Sequence, residues 1–160
     1  VRFPRAVLPI SVVLGNTLQF LFSVPVLMGV LLLNGHEPSV AWLALPLVFA
    51  VQLLLTIGLA FFVASVTVFF RDLEHIVDVL LSLVFYATPI IYAADRVPDS
   101  YHWVTVVNPL APLAEGWRDI LLDGEWPTAD LVYSVAITVA ALVVGWFTFR
   151  RLEDSFADGI

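Results

Sequence analysis

Between Phe69 and Tyr92 the chain reads FFRDLEHIVDVLLSLVFYATPIIY. One long apolar run ends at Phe70, four charged or titratable residues crowd into 71–75, and a second apolar run starts at Ile76. A water-soluble core has no use for such a block. A bilayer does: two apolar helices meet at a polar turn that must sit in water or among headgroups. In hydrocarbon every backbone polar group has to be satisfied internally, so apolar runs of this length cross as helices.

Composition agrees. Of 160 residues, 61% are hydrophobic and 13% charged, against about 45–50% and about 25% in ordinary soluble domains. So few charges cannot clothe a soluble surface of this size. Cysteine is absent, which excludes disulfides and thiolate metal sites. The net charge is −7 and there is no lysine; nucleic acid is excluded as a partner, since it calls for basic patches on its phosphates.

The apolar lengths predict an all-α membrane protein: a single transmembrane domain over 1–160 with four spanning helices near 6–33, 40–70, 72–92 and 128–150. About 20 apolar residues suffice to cross. Asn34-Gly35 gives the first helix its stop, and Trp42 suits an interfacial anchor. Gln52, Gly58, Ala60, Ala64 and Ser65 give the second helix the small and polar positions of a close helix contact. Asn16, Thr17 and Gln19 in the first helix are expected to face protein or a water-filled cavity. Pro89 is expected to kink or end the third helix.

Residues 101–123 are different. Tyr101–Val107 is apolar but too short to cross, Asn108-Pro109 reads as a helix start, and Leu110, Leu113, Trp117, Ile120 and Leu121 recur at helical spacing. The second piece, about 109–122, would rise about 20 Å against a hydrocarbon core of about 30 Å. The segment is read as a short re-entrant helix pair that dips in and returns. Leu113, Trp117 and Ile120 should pack on the spans, and Glu115, Arg118 and Asp119 should face water or each other.

Five arginines (Arg2, Arg5, Arg71, Arg150, Arg151) fall on one side of this threading and two (Arg96, Arg118) on the other. The positive-inside rule places the first side, with both termini, in the cytoplasm. Arg71, Glu74, His75 and Asp78 form one helical stripe. It is either a dipole-stabilised helix start or the lining of a cytoplasmic vestibule or partner contact. The aromatic residues about the outer segment, Trp103 and Trp117 among them, read as an interfacial belt or as stacking platforms for sugar rings. No HExxH, GxSxG or phosphate loop is present, His36, His75 and His102 make no metal spacing, and Glu115 with Asp119 is a weak carboxylate pair. The chain is not read as an enzyme.

Phe3-Pro4-Arg5 before a leucine- and proline-bearing helix start, Phe70-Arg71-Asp72 before an acidic helix start, Ala87-Thr88-Pro89-Ile90-Ile91-Tyr92, Asn108-Pro109-Leu110, and Arg118 with Gly124 together resemble the type-2 ABC transporter permease family. The likeness is to its polysaccharide and polyol-phosphate exporter branch, which moves O-antigen or teichoic-acid-type polymers. The resemblance implies a six-helix permease of which this is the C-terminal part, with the N-terminal part missing. It implies a homodimer in a bacterial cytoplasmic (inner) membrane and a lipid-linked glycan as cargo. A separate cytosolic ATP-binding subunit would carry ATP and Mg, so this chain would hold no cofactor. Arg5, Arg71, Asp72, Glu74 and Asp78 would then face the ATPase or a cytoplasmic vestibule. Tyr101, Trp103, Asn108, Pro109, Glu115, Trp117 and Arg118 would stand at the exit. Drug or lipid exporters of the same fold, and a non-conducting scaffold, are the alternatives.

Overall fold

The structure is a computed structural model describing residues 6–70, 72–88, 103, 108–129 and 131–153. Helix α1 is Val7–Leu33, α2 is Leu45–Thr67, α3 is Leu73–Ala87, α4 is Leu110–Arg118 and α5 is Leu131–Glu153. No strand occurs among the described residues. Three stretches, Val7–Leu33, Val40–Thr67 and Leu131–Leu152, are long and apolar enough to cross a membrane.

Helix α1 ends where Asn34-Gly35 predicts. Gly35 takes φ +85°, the His36 N–H reaches the Leu31 carbonyl and the Gly35 N–H the Leu32 carbonyl, each at 3.1 Å, the paired bonds of a Schellman stop. The second span departs from its expected bounds. Val40–Ala44 is a 3-10 turn, and the α-helix proper begins at Leu45. Pro46 explains the offset, because proline favours a helix's first turn. The helix stops at Thr67, three residues early, where the Phe69 and Phe70 N–H groups both turn back to the Val66 carbonyl.

Helix α3 covers 15 residues, about 22 Å, short of a hydrocarbon core of about 30 Å. It stops at Ala87 because Thr88 precedes Pro89 and adopts extended backbone at ψ 132°. The predicted continuation to Tyr92 lies outside the described residues, as does the first re-entrant piece apart from the helical, exposed Trp103. The second re-entrant piece is α4 followed by one π-helical turn, Asp119–Asp123. Gly124 closes it at φ +68°, with the Glu125 N–H on the Asp119 carbonyl at 2.9 Å.

The frame is the α2–α5 pair. A Cβ on Gly145 would collide with the Gly58 carbonyl oxygen, and one on Gly58 would lie 2.7 Å from the Ala141 carbonyl carbon. The two backbones therefore touch, as small residues allow in membrane helix pairs. Further along, the Phe61 ring lies 5.5 Å from Trp146 and 5.2 Å from Phe149. Gly58 meets 141–145 and Phe61 meets 146–149, so the two helices run parallel. The start of α5 accordingly lies at the end of the bundle where α2 starts. The core around Val48, Leu55, Leu113, Ile120 and Leu131 gathers at that end. Helices α1 and α3 present mostly exposed apolar surface.

Candidate functional site

Helix α4 is hung on the frame by a few polar contacts. Asn108 does two jobs. Its Oδ1 accepts the Leu110 N–H at 3.0 Å, capping α4, and its Nδ2 donates to Thr88 Oγ1 at 2.7 Å, tying α4 to the end of α3. Thr88 in turn donates to the Val84 carbonyl at 2.7 Å. Ser134 Oγ donates to the Pro109 carbonyl at 2.8 Å and so tethers the same start to α5. Asn108 is 9% exposed and Thr88 2%, so the break predicted before Pro109 sits against protein.

Along α4 the apolar stripe packs as expected: Leu113 and Ile120 are buried. Trp117 edges onto Phe20 of α1, with ring centroids 5.5 Å apart, and donates from Nε1 to Gln52 Oε1 of α2 at 2.8 Å. At the far end Ser39 Oγ donates to the Gly124 carbonyl at 2.9 Å while accepting the Ala41 N–H at 3.2 Å. One hydroxyl thus caps the 3-10 turn and clasps the returning segment. Asp119, on the π-turn, has its carboxyl pushed up by burial first and by Asp123 and Glu125 next, with Arg118 opposing.

Between α1, α2 and α4 lies a cavity of about 540 Å³. Phe20, Val24, Leu27, Leu110 and Leu121 supply apolar wall; Ser23, Gln52, Thr56, Thr88 and Arg118 supply polar groups. Gln52 lies seven residues into α2, about 10 Å along it, so the cavity extends to membrane depth.

Several predicted site residues converge here. Asn108, Pro109, Trp117 and Arg118 all serve this corner, and Glu115 lies half-buried on the same helix. Trp103 is 64% exposed. Asp72 and Asp78 are exposed on α3 and its start and do not line the cavity. Arg5, Arg71 and Tyr101 lie outside the described residues, as does the side chain of Glu74, a residue of the first turn of α3. Thr88, Ser134, Ser39 and the pairing of Gln52 with Trp117 are functional contacts that sequence reasoning missed. Asn16 and Gln19, expected to face protein or water, lie exposed on the outside of α1. Among the described residues no group of three metal-ligating side chains occurs.

Residues 4–122 match the family model described as ABC-2 type transporter. The chain is similar to the O-antigen export system permease protein RfbA of Klebsiella pneumoniae, 36% identical over 159 residues, which is 98% of this chain and 61% of that protein. It is also similar to the O-antigen export system permease protein RfbA of Myxococcus xanthus, 33% identical over 163 residues, covering all of this chain and 63% of that protein. The chain thus spans about three fifths of the length of the curated relatives it matches.

Proposed function

The chain belongs to the ABC-2 type transporter family, and on that premise we propose that it is the membrane permease part of an ATP-driven exporter carrying a lipid-linked glycan across a bacterial inner membrane. ATP hydrolysis belongs to a separate cytosolic subunit in this reading, and the cargo class follows the function for which the relatives are named, O-antigen export. Helix α3 belongs to the third of four crossings in this reading, and both termini lie in the cytoplasm. The parallel run of α2 and α5 supports this, because a chain leaving one end of α2 and re-entering at the other must cross a net single time between them. Helix α4, held short of the far side by Asn108 and Ser39, is then the returning limb at the exit.

The observation that carries the transport reading is the outward polar face. Asn16 and Gln19 lie about 14 and 18 Å along α1, exposed on the surface of the chain, as Asp78 is on α3. An amide left without a hydrogen bond in an apolar medium costs roughly 2–7 kcal/mol, and a charge against lipid roughly 2.5–3.5 kcal/mol at mid-membrane and less near the interface. These groups therefore face a second copy of the permease or a wet path between copies. A scaffold with no conduction path has no need of them.

The test uses the complete gene product, purified with its ATP-binding partner in vesicles. Lipid-linked glycan should stimulate ATP hydrolysis, and Asn16→Leu with Gln19→Leu should abolish the stimulation while the complex stays assembled. Unstimulated hydrolysis in the parent, with normal export by the double variant, would leave the scaffold.

A further inference from the structure

The inner face of α1 carries Val13, Phe20, Val24, Leu27 and Leu31 at helical spacing. Its ends and its middle are held differently. Leu31 is buried and sits with Met28 in the core, and Val13 is 7% exposed. Between them Phe20, Val24 and Leu27 line the cavity. Phe20 reaches across it. Its ring stacks on Phe49 of α2, with centroids 5.9 Å apart, and stands at 77° to Trp117 of α4 at 5.5 Å. Trp117 is fixed in turn by its indole N–H on Gln52 of α2. Helices α2 and α4 together therefore grip α1 at one ring.

Five residues on, Pro25 lies inside the helix. Its nitrogen carries no hydrogen, so the Leu21 carbonyl loses its donor, and the ring crowds that carbonyl. Ser23 Oγ donates to the Phe20 carbonyl at 2.6 Å, a side-chain bond that competes with the backbone ladder. The backbone over 20–25 is thus the weak point of α1, and it falls between the grip at Phe20 and the core anchor at Met28 and Leu31. We propose that α1 is a hinged wall of the cavity: its N-terminal half swings about Pro25 while its C-terminal half stays in the core, and Phe20 on Trp117 is the latch. Trp117 belongs to α4, so a shift of α4 releases the wall and the cavity opens beside α1. Val13 leaves its place at little cost, because acyl chains re-cover an apolar surface about as well as protein does. The outer face presents Phe22 and Val26, 76% and 68% exposed, so the described part of the chain leaves that side open to movement. The device does not depend on the cargo.

Spin-label distances in the complete permease, in lipid nanodiscs, test the hinge. Labelled chains are diluted with unlabelled ones so that each distance arises within one chain. This chain contains no cysteine, and any elsewhere in the permease is replaced. Leu18→Cys with Val139→Cys, both exposed positions, reports the N-terminal half of α1 against the frame; Leu32→Cys with Val139→Cys reports the C-terminal half. Distances from position 18 should be more broadly spread than those from position 32. Phe20→Ala should raise the ratio of displaced to seated N-terminal halves about tenfold, the order set by the loss of these ring pairs, with the C-terminal half unmoved. Gln52→Leu, which frees Trp117 without altering α1, should act in the same direction and less. Pro25→Ala, which restores the backbone bond, should narrow the spread. N-phenylmaleimide should label Ala114→Cys, on the α4 wall of the cavity, faster in the Phe20→Ala background. Where Phe20→Ala does not assemble, Phe20→Leu takes its place, and the comparison of the two label pairs in the parent depends on no such variant. Equal spreads for the two pairs, an N-terminal half that the Phe20 variant leaves unmoved, a C-terminal half that moves with it, or a Pro25→Ala spread as broad as the parent's would each overturn the hinge. Equal labelling of Ala114→Cys in both backgrounds would overturn the opening of the cavity.

Discussion

Helices α2 and α5 are joined by backbone contact, α4 by the packing of its apolar stripe together with individual hydrogen bonds. At Gly58 and Gly145 the chains touch with nothing between them. At α4 the attachment is Asn108 to Thr88, Ser134 to the Pro109 carbonyl, Trp117 to Gln52 and Ser39 to the Gly124 carbonyl. The first joint is a sum of many dispersion contacts, each small and none directional. It has no cheap intermediate between closed and open. The second adds to the packing of Leu113 and Ile120 four discrete, directional bonds that can open singly and be replaced by water. In lipid, apolar burial drives helices together only weakly, so association rests on these two devices. The difference assigns a fixed frame to α2–α5 and movement near the cavity to α4.

The largest effect should come from the frame. Gly145→Val puts a branched side chain where the Gly58 carbonyl sits, and two helix backbones must separate to admit it. A loss of about 3 kcal/mol or more is expected, read as a collapse of thermal stability in detergent. Gly29→Val, at a glycine with nothing within 4 Å of its missing Cβ, should change little. Equal behaviour of the two would mean that the frame is not where the chain is held.

Next comes the tether. Asn108→Leu removes the donor to Thr88 Oγ1 and frees the Leu110 N–H, a cost of about 1–3 kcal/mol for a buried group left unpaired. If α4 is the moving limb, export should fall by far more than that stability loss implies, with α2–α5 intact. With Pro109→Ala added, the helix can run through the break, and export should stop while assembly survives. A uniform loss of stability across the bundle, with export reduced in proportion, would erase the distinction between frame and limb.

The two regions also differ in how far the sequence disclosed them. The stop at Asn34-Gly35, the cap at Asn108, the apolar stripe of α4 and the small residue Gly58 are local signals and read correctly. Pro46 carried the true start of α2, but the apolar run from Val40 masked it, since hydropathy does not separate a 3-10 turn from an α-helix. The contacts that locate the cavity join residues 65 and 85 apart, Gln52 with Trp117 and Ser39 with Gly124. Nothing in a single sequence pairs them. Gly145 lies in an apolar run with no mark of its role, because close approach depends on which neighbour arrives. Asn16 and Gln19 were legible as groups that avoid lipid; within this chain they lie exposed on α1.

A smaller effect, opposite in sign, sharpens the picture of the frame. Thr138 lies in α5, 3% exposed, and its Oγ1 has no hydrogen-bond partner. Thr138→Val keeps the shape and removes the unpaired hydroxyl, so it should raise stability by about 1 kcal/mol. A loss instead would show that the hydroxyl is satisfied and that the joint is wetter than its packing suggests.

The smallest effect is at the far end of α4 and depends on pH. The Asp119 carboxyl has a folded pKa above its ordinary 3.8, raised by burial and then by Asp123 and Glu125. Between 3.8 and that higher value the folded chain holds a proton that the unfolded chain has released, so stability falls as pH rises through this window and stays lower above it. Below 3.8 both forms are protonated and the penalty vanishes. Asp119→Asn should therefore match the parent below that pH and gain on it progressively as pH rises, reaching a constant advantage near neutrality. The gain should be small, since Asp119 is only partly buried and the Arg118 charge offsets part of the cost. It should also be local: protease protection of the 119–125 turn should improve while that of α2–α5 stays unchanged. A variant less stable than the parent at neutral pH would reverse the sign, because the attraction between Asp119 and Arg118 would then outweigh the cost of burial.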